Sequence, residues 1–134
     1  MLGELIYEAQ GLIKNERVID VSELKIETTF EAKGKIKDVE VLDLGTFWSI
    51  PRQDGRIYGE NKSIFFTRNN NVIATAQDKV IGEKIDASTL RFIGSAFFQT
   101  SYTGKLSFLN NIIGIFEAEV KDNKYLTVKK WEWK

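Results

Sequence analysis

The sequence predicts an all-β protein, a single closed or nearly closed antiparallel β-barrel of about 8–10 strands, with a β-sandwich as the alternative. Three observations carry this. Apolar and polar residues alternate with a period of two, most cleanly from Leu24 to Ile36. Compact turn signals recur between such segments at Gln53-Asp54-Gly55, Asn69-Asn70-Asn71 and Asp122-Asn123-Lys124. No segment carries the pattern of a crossover helix, so consecutive strands should pair in series, and closure would remove the unpaired edges.

Composition narrows what such a barrel does. The 134 residues fit one domain spanning residues 1–134, with 43% hydrophobic and 28% charged residues and a formal net charge of +0. A balanced charge provides no general field to recruit nucleic acid or an anionic membrane, and neither is expected as a partner. Histidine and cysteine are both absent. That excludes disulfides, thiolate nucleophiles, histidine-dependent triads and zinc sites built on these ligands. The remaining oxygen ligands show no spaced-aspartate loop, so no metal and no cofactor is expected. The start, Met-Leu-Gly-Glu-Leu-Ile-Tyr-Glu, has acids within its apolar run and no basic residue, unlike a signal peptide. No run reaches membrane-spanning length, and the expected location is cytoplasmic.

Residues 2–13 fit a helical stripe and a strand face equally. Strand is favoured because Gly11 would interrupt a helix, and Lys14-Asn15-Glu16 then reads as a turn into a returning strand, Arg17–Val21. From Leu24, the residues Ile26, Thr28, Phe30, Ala32 and Ile36 share one face of a long strand that should bend at Gly34. Lys33, Lys35 and Lys37 lie on the other face, which Glu27 and Glu31 continue with opposite sign, so it reads as a solvated wall. Val39, Val41 and Asp43 share the next face, while Leu42 and Leu44 break the alternation and suggest a bulge or two-sided cover.

Gln53-Asp54-Gly55 should join Thr46–Arg52 to Arg56–Glu60 as a hairpin, with Pro51 at a rim because it cannot donate to a ladder. Trp48, Ile50, Arg52, Arg56, Tyr58 and Glu60 share a parity there. If that face points inward, charges enter a low-dielectric interior where each needs a partner, which a ligand explains better than stability does. The hairpin of Ser63–Arg68 with Val72–Gln77 reads as structural, and Asn61-Lys62-Ser63 has the form of a glycosylation sequon.

Leu90–Val120 reads as strand, turn, strand, turn, strand. Leu90, Phe92, Gly94, Ala96 and Phe98 share one face, and Tyr102-Thr103-Gly104-Lys105 supplies a hairpin turn before Leu106 and Phe108. After Asn110-Asn111, Ile112, Gly114, Phe116, Ala118 and Val120 again share a face. Interior glycines at 94 and 114 suggest bends in a curled wall. The last strand, from Tyr125, closes the sheet, with Trp131 and Trp133 packing across neighbours or covering the exterior.

The serial hairpins and the segment Asn110-Asn111-Ile-Ile-Gly114-Ile-Phe116-Glu117 resemble the Gly-x-Phe-Glu passage of small lipocalin-like (calycin-like) and allene-oxide-cyclase-like barrels, including uncharacterised prokaryotic ones. The resemblance implies a small barrel and carries no catalytic residues across. Two functions follow from the residues. As a binding module, the interior would hold a small apolar or acidic amphipathic molecule, walled by Trp48, Tyr58, Phe66 and Phe98 and fixed at its polar end by Arg52. As a metal-independent isomerase or cyclase, it would use Glu60 or Glu117 as base and Tyr58 or Tyr102 as acid. A solid core with a partner-binding or oligomeric surface is the third reading.

Overall fold

A computed structural model describes residues 1–134 and forms a closed antiparallel barrel of eight strands in sequential order. The strands are β1 (Leu2–Asp20), β2 (Lys25–Ile36), β3 (Val39–Pro51), β4 (Ile57–Phe66), β5 (Val72–Lys84), β6 (Thr89–Gln99), β7 (Gly114–Lys121) and β8 (Tyr125–Trp133). Closure is made where β8 pairs with β1, for example Val128 opposite Ala9. Each strand sends one parity of side chains inward, except where consecutive residues are both buried, at Ile6–Tyr7 on β1 and Ile73–Ala74 on β5. On β2 these include Phe30, Ala32 and Ile36, all buried, as the alternation requires.

Residues 2–20 are one continuous strand, and the expected turn at Lys14–Glu16 is a register shift between Ile13 and Asn15 instead. The extra residue bends the strand and lets it continue. The true reversal lies at Val21–Leu24, with Leu24 at a φ of 56°. β3 contains no bulge: its register is unbroken against both neighbours, and Leu44 simply faces outward.

The expected middle strand of the 90–120 region is replaced by a loop and a short 3₁₀ turn, η1 (Ser107–Asn111). Leu106 and Leu109, three residues apart, drop onto the core at 5% and 0% exposure. The Asn110 side chain pins the loop by accepting from the Thr100 N–H at 2.8 Å and donating to the Thr100 carbonyl at 2.9 Å. This segment plugs one end of the barrel, while the tight β1–β2, β3–β4, β5–β6 and β7–β8 turns surround the other.

Interior aromatics sit over glycines on adjacent strands. A Cβ on Gly45 would fall 2.2 Å from the Phe30 ring, and one on Gly82 would fall 2.4 Å from the Phe92 ring. Small residues therefore make room for large ones across the barrel, which lets eight strands enclose a filled interior. The outer wall of β2 carries exposed Glu31, Lys33 and Lys35, which interrupt the apolar band that a lipid-facing barrel presents. No helix is long and apolar enough to cross a membrane.

Candidate functional site

The strand parities bring a buried polar cluster into the barrel. Lys130 and Asp78 are 1% exposed, and Lys130 Nζ donates to both Asp78 carboxylate oxygens at 3.2 and 3.3 Å. The ammonium also lies 5.0–5.5 Å from the ring centroids of Tyr7, Phe65, Phe98 and Phe116. Those four faces replace part of the hydration the cation lost on burial. Asn61 Nδ2 donates to Asp78 Oδ2 at 2.8 Å and to Ser63 Oγ at 3.1 Å. On the adjoining wall the Tyr7 hydroxyl donates to Asp43 Oδ2 at 2.8 Å.

Two buried acceptors have no partner within this cluster, Asp43 Oδ1 and Asn61 Oδ1. Burial raises the Asp43 carboxyl above its ordinary value, against the opposing pull of the Lys130 charge and of the Ser63 and Tyr7 hydroxyls. Burial likewise drives the Tyr7 phenol well up, assisted by the Asp43 charge, so Tyr7 is a fixed donor.

Between this cluster and the unplugged end lies a cavity of about 120 Å³. Eleven of its sixteen lining residues are hydrophobic, so its walls favour an apolar occupant. Phe30, Phe47, Phe92 and Phe116 form the inner walls, and Leu90 and Ile57 stand nearer the mouth. Phe47 and Phe92 meet edge to face at 5.1 Å. Asn61 also lines the cavity, so one side chain joins the apolar chamber to the Lys130–Asp78 pair. Ser49 and Thr28 add hydroxyls, and exposed Glu16 and Asn123 mark the entrance. No group of three or more acidic residues stands close enough to hold a metal ion.

The residues expected from sequence are placed differently. Trp48, Arg52, Tyr58 and Glu60 do come together: Trp48 and Tyr58 pack edge-on at 5.7 Å, Arg52 lies 5.0 Å over Tyr58, and the Tyr58 hydroxyl donates to Glu60 at 2.9 Å. That bond to Glu60 raises the Tyr58 phenol. They stand on the outer wall, however, because the inward parity of this hairpin is Phe47, Ser49, Gly59 and Asn61. The expectation that this face bounds the cavity is corrected, and its charges are hydrated. Phe66 also faces outward on β4, Tyr102 lies in the exposed 101–105 loop, and Glu117 is on the outer wall, where it accepts from Arg91 at 3.1 Å. Of the eight residues, only Phe98 enters the interior, as part of the aromatic box around Lys130. The sequon at Asn61 is likewise inside the barrel, with Asn61 only 4% exposed.

The residues that sequence reasoning missed, Asp43, Asn61, Asp78 and Lys130, shared one signal. Each lies at the parity of buried small or apolar neighbours, as Lys130 does with Leu126 and Val128. A lone charge on an apolar strand face marks a buried polar group that needs a partner.

No protein-family model and no curated protein matches the chain. Solved structures do. A protein with unknown function from Clostridium acetobutylicum ATCC 824 superposes with a TM-score of 0.80 at 14% identity, covering 98% of both chains. A conserved protein of unknown function from Rhodopseudomonas palustris gives 0.76 at 13% identity, over 99% of both. A beta-barrel like protein from Acinetobacter baumannii AYE gives 0.76 at 14%, over 98% of this chain and 94% of that one. At such identities the likeness establishes the barrel alone.

Proposed function

We infer that the protein binds a small, mainly apolar molecule in the cavity at the unplugged end of the barrel, and that the occupant carries one O–H or N–H group directed at Asn61. The observation that carries this reading is that Asn61, whose buried Oδ1 has no hydrogen-bond partner, lines a chamber whose remaining walls are predominantly apolar. An unsatisfied buried acceptor costs free energy comparable to a lost hydrogen bond, and an incoming donor would recover it. Asn61 Nδ2 is already engaged by Asp78 and Ser63, so the carbonyl is held in place before any ligand arrives.

The volume sets the size of the ligand. A cavity of about 120 Å³ is too small for the drug-sized occupants of roomy barrels and suits a single substituted aromatic ring. A phenol is the simplest molecule with that shape and one donor. Burying roughly 150 Å² of apolar surface contributes about 4 kcal/mol, which corresponds to a Kd on the order of 1 mM before any gain from the hydrogen bond. This narrows the lipocalin-like expectation to a one-ring ligand. It replaces the acidic amphiphile, since the unpartnered interior atoms are acceptors and would repel a carboxylate. The absence of cysteine and the charged outer wall are consistent with a cytoplasmic carrier or sensor of such molecules.

Calorimetric titration with phenol and with toluene tests the reading. Phenol should bind more tightly than toluene by about tenfold, the value of one buried hydrogen bond. Ala118→Leu, which pushes a larger side chain into the lining, should abolish both. Equal affinity of the two ligands, or phenol binding that survives in Ala118→Leu, would refute it.

A further inference from the structure

The outer wall of β6, β7, β8 and β1 carries an apolar strip that nothing in the fold covers. The sheet register arranges it in rows. Trp133 donates its N–H to the Ile113 carbonyl at 2.8 Å and stands opposite Leu2, and continuing the Ala96–Gly114 pairing sets Phe97 beside Ile113. These four side chains are 49–54% exposed. The next row places Ile115 opposite Trp131 and Trp131 opposite Leu5. One row further on the character changes to charge, with Glu117 opposite Lys129 and Lys129 opposite Glu8.

We propose that this strip is a docking surface for a second copy of the same chain, joined about a two-fold axis through the Ile113–Trp133 row. Half-exposed side chains of this size leave on the order of 500 Å² uncovered per copy, or about 1,000 Å² for a pair, the threshold at which a stable interface becomes plausible. A strip of that extent is at the upper end of what a lone soluble chain leaves open. Its border favours a copy of itself over a lipid surface. Across adjacent strands the border row reads Glu117, Lys129, Glu8, and with the axis running along the strands between β7 and β8, Glu117 of each copy meets Lys129 of the other. Anionic headgroups would need a basic border, and hydrocarbon would need a wall that stays apolar. The strip lies toward the plugged end, so pairing through it leaves both cavity mouths open. It is independent of the ligand reading.

Sedimentation velocity from about 1 to 200 μM tests this, with Phe97→Asp as the disrupting variant. Leu44→Asp, at a site 46% exposed on β3, serves as the control. The native chain and the Leu44→Asp variant should dimerise in this range, and Phe97→Asp should raise the dimer Kd at least about a hundredfold. The chain has no cysteine, so single cysteines can be introduced without background. A short bismaleimide should link Ile113→Cys chains to each other and leave Leu44→Cys chains unlinked, which decides the matter if Phe97→Asp fails to fold. A native chain that stays monomeric at 200 μM would overturn the proposal. So would a dimer that persists in folded Phe97→Asp, cross-linking confined to Leu44→Cys, or a monomer that pellets with phosphatidylcholine vesicles.

Discussion

Replacing Lys130 by methionine should be among the most damaging single changes in the molecule. The side chain is 1% exposed, its ammonium is 3.2 Å from Asp78, and its remaining neighbours are aromatic faces. Methionine fits the space but leaves the Asp78 carboxylate buried, with Asn61 Nδ2 as its only remaining donor. Breaking one side of a buried ion pair typically costs about 3–5 kcal/mol, because an uncompensated charge remains. Against a total stability of about 5–15 kcal/mol, that lowers the melting temperature by roughly 10–20 °C. Urea denaturation followed by tryptophan fluorescence measures the loss. The double variant Lys130→Met/Asp78→Asn removes both charges while keeping an acceptor for Asn61. It should recover at least about 2 kcal/mol relative to the sum of the single changes. A Lys130→Met chain within about 1 kcal/mol of native, or strictly additive single effects, would refute the assignment of a dry, mutually dependent ion pair.

Other perturbations follow from the same interior. Asp43 is raised by burial, so its protonated form is favoured by folding; its contribution is full below the ordinary carboxylate value and is lost as pH rises through the folded value. Asp43→Asn should therefore gain stability over native as pH rises and lose that advantage in acid; a difference independent of pH in paired melts from pH 4 to 8 would contradict this. Gly94→Ala would set a Cβ 1.8 Å from the Lys79 carbonyl and should cost about 3 kcal/mol or more, whereas Gly114→Ala meets the Ala96 methyl at 3.1 Å, the Ala96 carbonyl oxygen at 3.3 Å and the Phe98 ring at 3.5 Å and should cost about 1 kcal/mol or less. Equal urea midpoints for the two would show that the wall tolerates either. Leu109→Ala, at 0% exposure in the plug, should cost about 2–5 kcal/mol and speed amide exchange in the 100–113 segment first. Loss of stability without that local exchange would show that the plug does not open separately.

The barrel was legible where one chemical signal dominated each face. The alternation of β2, the Gly55 and Asn70 turns at φ values of 87° and 64°, and the inward face of β6 all read directly from residue type. The plug was not legible, because Leu106 and Phe108 satisfy a strand's period while Leu106 and Leu109 satisfy a single helical turn; only the uncovered barrel end decides between them. The site was missed for a related physical reason. In the middle of β4 the inward residues Gly59, Asn61 and Ser63 are smaller and more polar than the outward Tyr58, Ile64 and Phe66, a local inversion of the usual amphipathicity on a strand that also sends Ile57 and Phe65 inward and Glu60 and Lys62 outward. The inversion works because Phe47 fills the space above Gly59, where a Cβ would lie 2.3 Å from its ring, and because Asp78 and Ser63 satisfy the Asn61 amide. Those partners come from other strands or require knowledge of register, and neither is visible in a local pattern.

The ligand reading is tested most directly by locating a bound probe. Crystals grown or soaked with 4-bromophenol would show the bromine by its anomalous signal. The binding site proposed above requires that signal inside the barrel, between Phe47, Phe92 and Leu90, with the phenol oxygen within hydrogen-bond distance of Asn61 Oδ1. A bromine signal only on the outer wall beside Trp48 and Tyr58, or an empty barrel at saturating probe, would contradict it.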